Sequence, residues 1–296
     1  MIKLPLTPFT FGCMSLGNSD DIGDIRAQIK VVRAAMDAGV SFHASREYAG
    51  GGAFTIMRHA FDEDGSRIPH LILKIRCDNA LLLKFDVEDA RRRLNIGRID
   101  VAQLVRAKHD RRPVVDDFLA RGDMWKTCEK LRAEGKVGAF AMEIFESFSP
   151  DAIRAVQAGL FPAYIFYFSP GERQTSNALF DLLMQRAEPI LALRTLCGGI
   201  LDPARIAQIR ERNPDDGAIA RFEALQPLYE KSGAKSWAEF SISFLRSFPN
   251  ILTTIAGTSS EKHLHELLEA ARTAKPIPTP LAEEIKTLHR KWAQPA

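Results

Sequence analysis

The sequence predicts an α/β fold, a single (β/α)8 TIM barrel, on three observations. Short apolar runs alternate with longer amphipathic stretches along the chain. Eight of these runs are of strand type, and they are apolar nearly throughout instead of at every second residue. No linker rich in proline, glycine or serine divides the 296 residues. Strands alternating with helices imply parallel pairing through right-handed crossovers, and near-continuous apolar strands imply burial on both faces. Eight units favour closure into a barrel, although periodicity by itself also admits an open doubly wound sheet. Barrels of this kind commonly exceed about 250 residues as one unit, so residues 1–296 read as one domain.

The first strand falls near Phe9–Cys13. After it, Ile22, Ile25, Ile29, Val32 and Met36 recur at spacings of three and four, which lines one helical face. Gly39 stops that helix, and Val40-Ser41-Phe42 reads as the next strand. Further strands fall at Leu71-Ile72-Leu73, Ile99–Val105, Val137–Met142, Ala163–Phe168, Pro189–Leu193 and Ile251–Ala256. Helical patterns occupy Phe118–Gly135, Asn177–Arg186 and Trp237–Phe248. Lys275–Pro280 reads as a turn feeding a last helix, with Thr279 as its N-cap and Pro280 in first position. Leu281, Ile285, Leu288 and Trp292 form the apolar stripe of that helix.

Composition bounds the function. Hydrophobic residues at 46% and charged residues at 26% are ordinary for a globular chain with a sizeable core. A net charge of +3 argues against a nucleic-acid partner, and Arg91-Arg92-Arg93 reads as a solvated helix face. Cys13, Cys77, Cys128 and Cys197 lack metal or disulfide spacing, which suits reduced thiols in the cytoplasm. The N-terminus lacks a signal-peptide apolar region, and no apolar run approaches the roughly 18 residues of a membrane span. A soluble protein with no membrane partner is the expectation; its oligomeric state is left open.

Seven ordered motifs then carry a resemblance that covers nearly the whole chain. They are Phe11-Gly12-Cys13-Met14-Ser15-Leu16-Gly17, Ala38–Phe42 with His43-Ala44-Ser45-Arg46-Glu47-Tyr48, Leu73-Lys74, and Arg93–Val101. Glu134-Gly135-Lys136-Val137, Leu196-Cys197-Gly198-Gly199-Ile200-Leu201, and Ile255–Ser260 with His263–Glu266 complete the set. In this order they resemble the aldo-keto reductase family. The resemblance implies a barrel that binds NADP(H) at the C-terminal strand ends and reduces a carbonyl. Fold does not carry function with it, so each site position is read separately.

The resemblance places Tyr48 at the family's acid/base tyrosine and Lys74 at its lysine. A phenol has a pKa of about 10, and a close ammonium lowers it. Read alone, Tyr48 is a loop aromatic and Lys74 a strand-end charge pointing to solvent. Their place in matched motifs at successive strand ends favours the catalytic reading. The family's aspartate position holds His43, which hydrogen-bonds but brings no carboxylate charge. Beside Lys74 it is expected to be neutral near pH 7, as a proton partner of Tyr48. The family's histidine position holds Val105, which cannot polarise a carbonyl, and loss of such a group costs about 10²–10⁴ in rate. His109 is the only histidine nearby in the following loop.

For the cofactor, the resemblance implies contacts from Cys13, Met14, Leu196 and Gly199, with Tyr167 stacking on the nicotinamide. Where the family has a Ser-Asn pair, this chain has Glu143 and Ile144. Glu143 is either solvated or paired with Lys74, His43 or Arg194. Arg194 is either a clamp for a phosphate or carboxylate or one half of a salt bridge with a loop acid. Gly257, Thr258, Ser259 and Ser260 lead into a helix whose N-terminus suits a phosphate, Thr258 and Glu261 having capping-box spacing. His263 and Glu266 fall where the family meets the adenosine.

Other signals fall away. His263 and His265 point to different helix faces, so no metal site is expected. Gly50-Gly51-Gly52 reads as a flexible lip over the pocket. The leading expectation is an NADP(H)-dependent oxidoreductase acting on an aldehyde or ketone. The rival is a non-redox or inactive barrel binding a small anionic metabolite through Arg194, Lys74 and His43.

Overall fold

The computed structural model describes residues 4–63, 65–106, 112–144 and 149–292. Strands β1 (Phe9–Gly12), β2 (Ser41–Ser45), β3 (Leu71–Arg76), β4 (Ile99–Val105) and β5 (Val137–Glu143) pair in sequence, each parallel to the next. β6 (Tyr164–Ser169) pairs with β5, β8 (Ile190–Leu193) with β6, and β9 (Ile251–Ala256) with both β8 and β1. The ring therefore closes as an eight-stranded parallel barrel, and the open-sheet alternative is excluded. The two-residue β7 (Glu172–Arg173) is an extra, antiparallel to the end of β6.

All eight expected strands form, several of them longer at the C-terminal end than their apolar runs. β2 continues through His43 to Ser45, β3 through Lys74 to Arg76, and β5 reaches Glu143. These added polar residues belong to the barrel mouth. Side chains alternate along a strand, and Ile72, Val101, Ala141 and Ile165 belong to the barrel-interior cluster. Phe42, Leu73, Ala102 and Met142 belong to the layer between strands and helices. Parity thus turns His43, Lys74, Gln103, Glu143 and Tyr167 inward.

The helices supply the outer wall: α1 (Ile22–Asp37), α2 (Gly52–Glu63), α3 (Ala80–Leu94), α4 (Arg112–Leu119), α5 (Asp123–Ala133) and α6 (Ser149–Gln157) in the first half. α7 (Asn177–Gln185), α8 (Pro203–Arg212), α9 (Gly217–Ser232), α10 (Trp237–Arg246), α11 (Glu261–Thr273) and α12 (Thr279–Trp292) follow. Asp21 and Asn79 cap α1 and α3 by accepting from the Asp24 and Leu82 amides, which satisfies otherwise orphaned donors. Phe168 meets Phe180, Phe244 and Phe248 at ring-centre distances of 5.1–5.6 Å, binding α7 and α10 to β6.

Four local expectations need correction. Phe118–Gly135 is not one helix: it breaks between α4 and α5, where Arg121 takes φ of +51°. Gly122 and Asp117 make the break, with the Asp117 carboxylate accepting from the Met124 and Trp125 amides. Before α12 the Pro278 carbonyl, not Thr279, receives the first amide bonds. At α11 the cap is Ser260, not Thr258, whose hydroxyl accepts from the Ser260 amide instead. Finally, Gly50-Gly51-Gly52 is no loose lip. It forms a single turn from Tyr48 and enters α2, with Gly51 buried and its carbonyl accepting from Arg93.

Candidate active site

Four inward side chains from consecutive strands make one buried polar chain at the barrel mouth. Lys74 Nζ lies 3.3 Å from Glu143 Oε1. Gln103 Nε2 donates to the same oxygen at 2.9 Å, and Gln103 Oε1 lies 2.7 Å from His43 Nε2. Register explains the match, since Lys74 is the β-partner of Gln103 and Gln103 that of Ala141, two residues before Glu143. His43 and Glu143 are each 3% exposed and Gln103 is fully buried, so these bonds face no competition from water. Tyr48, just past β2, is half-buried; Lys74 Nζ sits 5.9 Å from its ring centre. The Tyr48 and His43 ring centres are 6.3 Å apart.

The electrostatics follow from burial and from this pairing. Burial first, then the Lys74 charge, lowers the His43 pKa to about 3, so its ring is neutral, as expected from sequence. Burial works against the Lys74 charge too, but Glu143, Tyr48 and Tyr167 outweigh it and raise the Lys74 pKa. The expectation for Tyr48 is overturned. Burial raises its pKa to about 12, further than Lys74 lowers it, and Glu143 adds to the rise. Tyr48 is therefore a neutral phenol with its proton in place. Of the two readings of Glu143, solvation fails and pairing with Lys74 holds; its tie to His43 runs through Gln103.

Across the mouth, the Arg194 guanidinium lies 4.8 Å from the Tyr167 ring centre, and its Nε pairs with Glu172 at 3.1 Å. The salt-bridge reading of Arg194 holds through Nε, and its partner is an acid of β7. The Glu172 carboxyl is mostly buried, and that burial raises its pKa against the pull of Arg194 and Arg221. Arg194 Nη1 and Nη2 have no partner among the described residues, and the side chain is about one-third exposed. Arg194 takes φ of +56°, and a Cβ on Gly198 would fall 2.2 Å from Arg194 Nη2, so a glycine there is what lets the guanidinium lie where it does.

Six of the remaining predicted residues line a cleft of about 730 Å³ on the β8–β9 side. Leu196, Gly199, Gly257, Thr258, His263 and Glu266 line it together with Lys235 and Trp237. Such a volume is in the range of small-molecule sites. Gly257 is required by the approach of β1 to β9, because a Cβ there would sit 1.7 Å from the Gly12 carbonyl oxygen. Ser259 is exposed and Ser260 caps α11, so neither faces the cleft interior. Met14 is 64% exposed at the end of β1, whereas Cys13 is fully buried with its thiol toward the Phe11 carbonyl.

Sequence reading missed two contributors. Neither Gln103 nor Glu172 was among the candidates read from the sequence. Gln103 was detectable, being the one polar residue at an inward position of an otherwise apolar β4 core run. Glu172 sits in a two-residue strand with no periodic signal. Val105, at the end of β4, is half-exposed, and its side chain offers no polar atom. His109 lies outside the described residues. Among the described residues no group of metal-binding side chains assembles, and no helix is long and apolar enough to cross a membrane. All four cysteines are buried, and none of them is in a disulfide among the described residues.

Parallel eightfold closure, with a Tyr–Lys pair at its C-terminal mouth, defines a barrel of the reductase type, and comparison with known proteins agrees. The model of the Aldo/keto reductase family matches residues 8–288, and the chain belongs to that family. No curated protein matches it. Among solved structures it is similar to an aldo/keto reductase from Klebsiella pneumoniae in complex with NADP and acetate, at 17% identity and a TM-score of 0.68. That match covers 96% of this chain and 92% of the other. It is also similar to the holo form of an aldo-keto reductase from Bacillus halodurans, at 18% identity and a TM-score of 0.71, over 96% and 95% of the two chains.

Proposed function

We propose that this protein is an NADP(H)-dependent oxidoreductase acting on an aldehyde or ketone with weakened activity, working as one domain in the cytoplasm. The observation that carries the reading is the Tyr48–Lys74 pair, 5.9 Å apart at the mouth of a barrel of this family. The neighbouring structure from Klebsiella pneumoniae holds NADP and acetate in the same fold, which supports both the cofactor and a small substrate.

The residues present fit the dinucleotide. The cleft leads to the capped N-terminus of α11, a natural place for phosphate. Gly257 and Thr258, with the backbone of Ser259 and Ser260 beside them, would hold the phosphate end, His263 and Glu266 the adenosine, and Leu196 and Gly199 would border the dinucleotide as well. Toward the mouth, Met14, Cys13 through its backbone, Tyr167 and Glu143 would border the nicotinamide. Arg194 would meet a phosphate with its two terminal nitrogens. The bound nicotinamide supplies hydride chemistry.

The chain's own residues do the rest. Tyr48 keeps its proton at neutral pH and so meets a carbonyl oxygen as a donor. Lys74 remains cationic beside it and stabilises negative charge that grows on that oxygen. Glu143 holds Lys74 in place. Val105 donates nothing, and a missing donor of that kind costs about 10²–10⁴ in rate. That absence is the physical basis for weakened activity.

Calorimetric titration with NADPH tests the proposal: binding below millimolar concentration is expected, and none at that level sinks it. With binding established, Tyr48→Phe should lower turnover of a reactive aldehyde by about 10²–10⁴. A second reading, a non-redox barrel that binds a small anionic metabolite, draws on the same Arg194 terminal nitrogens. Saturable carboxylate binding without any NADPH binding would favour it.

A further inference from the structure

We infer that Gln103 is a positioning residue: it transmits the fixed polarity of the Glu143 carboxylate to His43 and locks that ring as the Nε2–H tautomer. The argument runs on donor and acceptor identity. An ionised carboxylate only accepts, an amide has one donating and one accepting end, and a neutral imidazole has one of each. Glu143 Oε1 lies between Lys74 Nζ at 3.3 Å and the Gln103 amide at 2.9 Å. Lys74 Nζ can only donate, so Oε1 accepts, and Gln103 presents its NH₂ group to the same oxygen. The amide oxygen of Gln103 is thereby turned toward His43, 2.7 Å from Nε2. Only an N–H at Nε2 satisfies that oxygen.

The lock has little slack, because Gln103 is fully buried and His43 and Glu143 nearly so, and a buried mismatched pair leaves two polar groups unsatisfied. His43 does not escape by taking a second proton, since burial and Lys74 hold it neutral. Its Nδ1 is then a bare lone pair. His43 accepts at Nδ1 and does not donate there, so it cannot polarise a carbonyl; any group it meets must bring its own hydrogen. Donation to substrate is left to Tyr48 and Lys74. The division of labour at this mouth is set from β5, through β4, to β2.

The link to turnover rests on the oxidoreductase reading, but the tautomer does not. Two-bond ¹H–¹⁵N correlation spectra of ¹⁵N-labelled full-length protein at pH 7, without cofactor, read it directly, with His43 assigned by its loss in His43→Gln. The wild type should show a protonated Nε2 and an unprotonated Nδ1. Glu143→Gln keeps the shape but makes residue 143 both donor and acceptor, so Gln103 is free to flip and the single-tautomer signature should be lost. Gln103→Leu should lose it as well. A wild-type Nδ1–H tautomer overturns the inference, and so does an unchanged His43 signature in a folded Glu143→Gln protein. Absence of NADPH binding would remove the oxidoreductase reading and leave this result standing.

Discussion

The two sides of the barrel mouth are built on opposite principles. On the β2–β5 side, His43, Gln103, Glu143 and Lys74 are buried and bonded to one another. On the β8–β9 side, Gly257, His263 and Glu266 are exposed around an open cleft, which α11 borders close to its capped N-terminus. One side has used its hydrogen-bonding capacity internally; the other has kept it for a ligand. The difference teaches where change is costly. A substitution in the closed network leaves a buried partner stranded, whereas one in the cleft is met by water.

The largest effect should come from acid. Burial lowers the pKa of His43 from 6.5 to about 3, and that of His289, against Phe168 and Phe244, equally far. The folded state therefore binds fewer protons than the unfolded state between these values. Stability is fully present above about pH 6.5 and falls as pH drops toward 3, by up to about 1.4 kcal/mol per pH unit for each ring. Urea unfolding between pH 7 and 4 measures the slope. His43→Gln should remove about half of it; an unchanged slope would show that the network is not closed to protons.

Next in size is Lys74→Met. It leaves the Glu143 carboxylate, 4% exposed, without its cation, and removing one partner of a buried pair costs about 3 kcal/mol. Thermal unfolding should show the loss. Lys74→Met with Glu143→Gln should recover most of it, because the stranded charge goes too. A double variant no more stable than the single one would mean the pair is not what holds this side together.

How much of this was legible in sequence divides along the same line. All eight strands were visible as apolar runs, because parallel strands buried on both faces leave that trace. The cleft residues Leu196, Gly199, Gly257, Thr258, His263 and Glu266 were found by motif and do line one cavity. The closed side was only half legible. His43, Lys74 and Glu143 were named, yet Gln103, which joins them, makes sense only once register sets β4 between β3 and β5. The Tyr48 pKa went the wrong way because a sequence shows the neighbouring lysine but not the depth of burial that outweighs it. Helix caps failed by one or two residues, at Pro278 and Ser260, since adjacent oxygens compete for the same amides.

Arg194 lies between the two regimes, tied to Glu172 through Nε but with both terminal nitrogens available. Charge-assisted bonds contribute about 1.5–3 kcal/mol, so Arg194→Met should weaken NADPH binding by about tenfold or more, and most at low salt. Gly198→Ala should act in the same direction by displacing the guanidinium. Neither should alter the His43 tautomer. Calorimetry with parallel ¹⁵N spectra checks both halves; an Arg194 variant with unchanged affinity would assign the residue to the closed side.

The smallest effect belongs to Ser260, whose hydroxyl accepts from the His263 amide at 3.4 Å. N-cap serines typically contribute about 0.5–2 kcal/mol, and so long a bond puts this one near the lower end. Asn79 is the internal control: it caps α3 from the Leu82 amide at 2.9 Å, away from the cleft. Ser260→Ala should cost less stability than Asn79→Ala, yet it alone should weaken NADPH binding, because α11 borders the cleft and α3 does not. A cap kept for structure would give the reverse order, with Ser260→Ala the more destabilising and NADPH affinity untouched. Melting temperatures and titrations of the two variants separate a terminus held open for a ligand from one merely closed off.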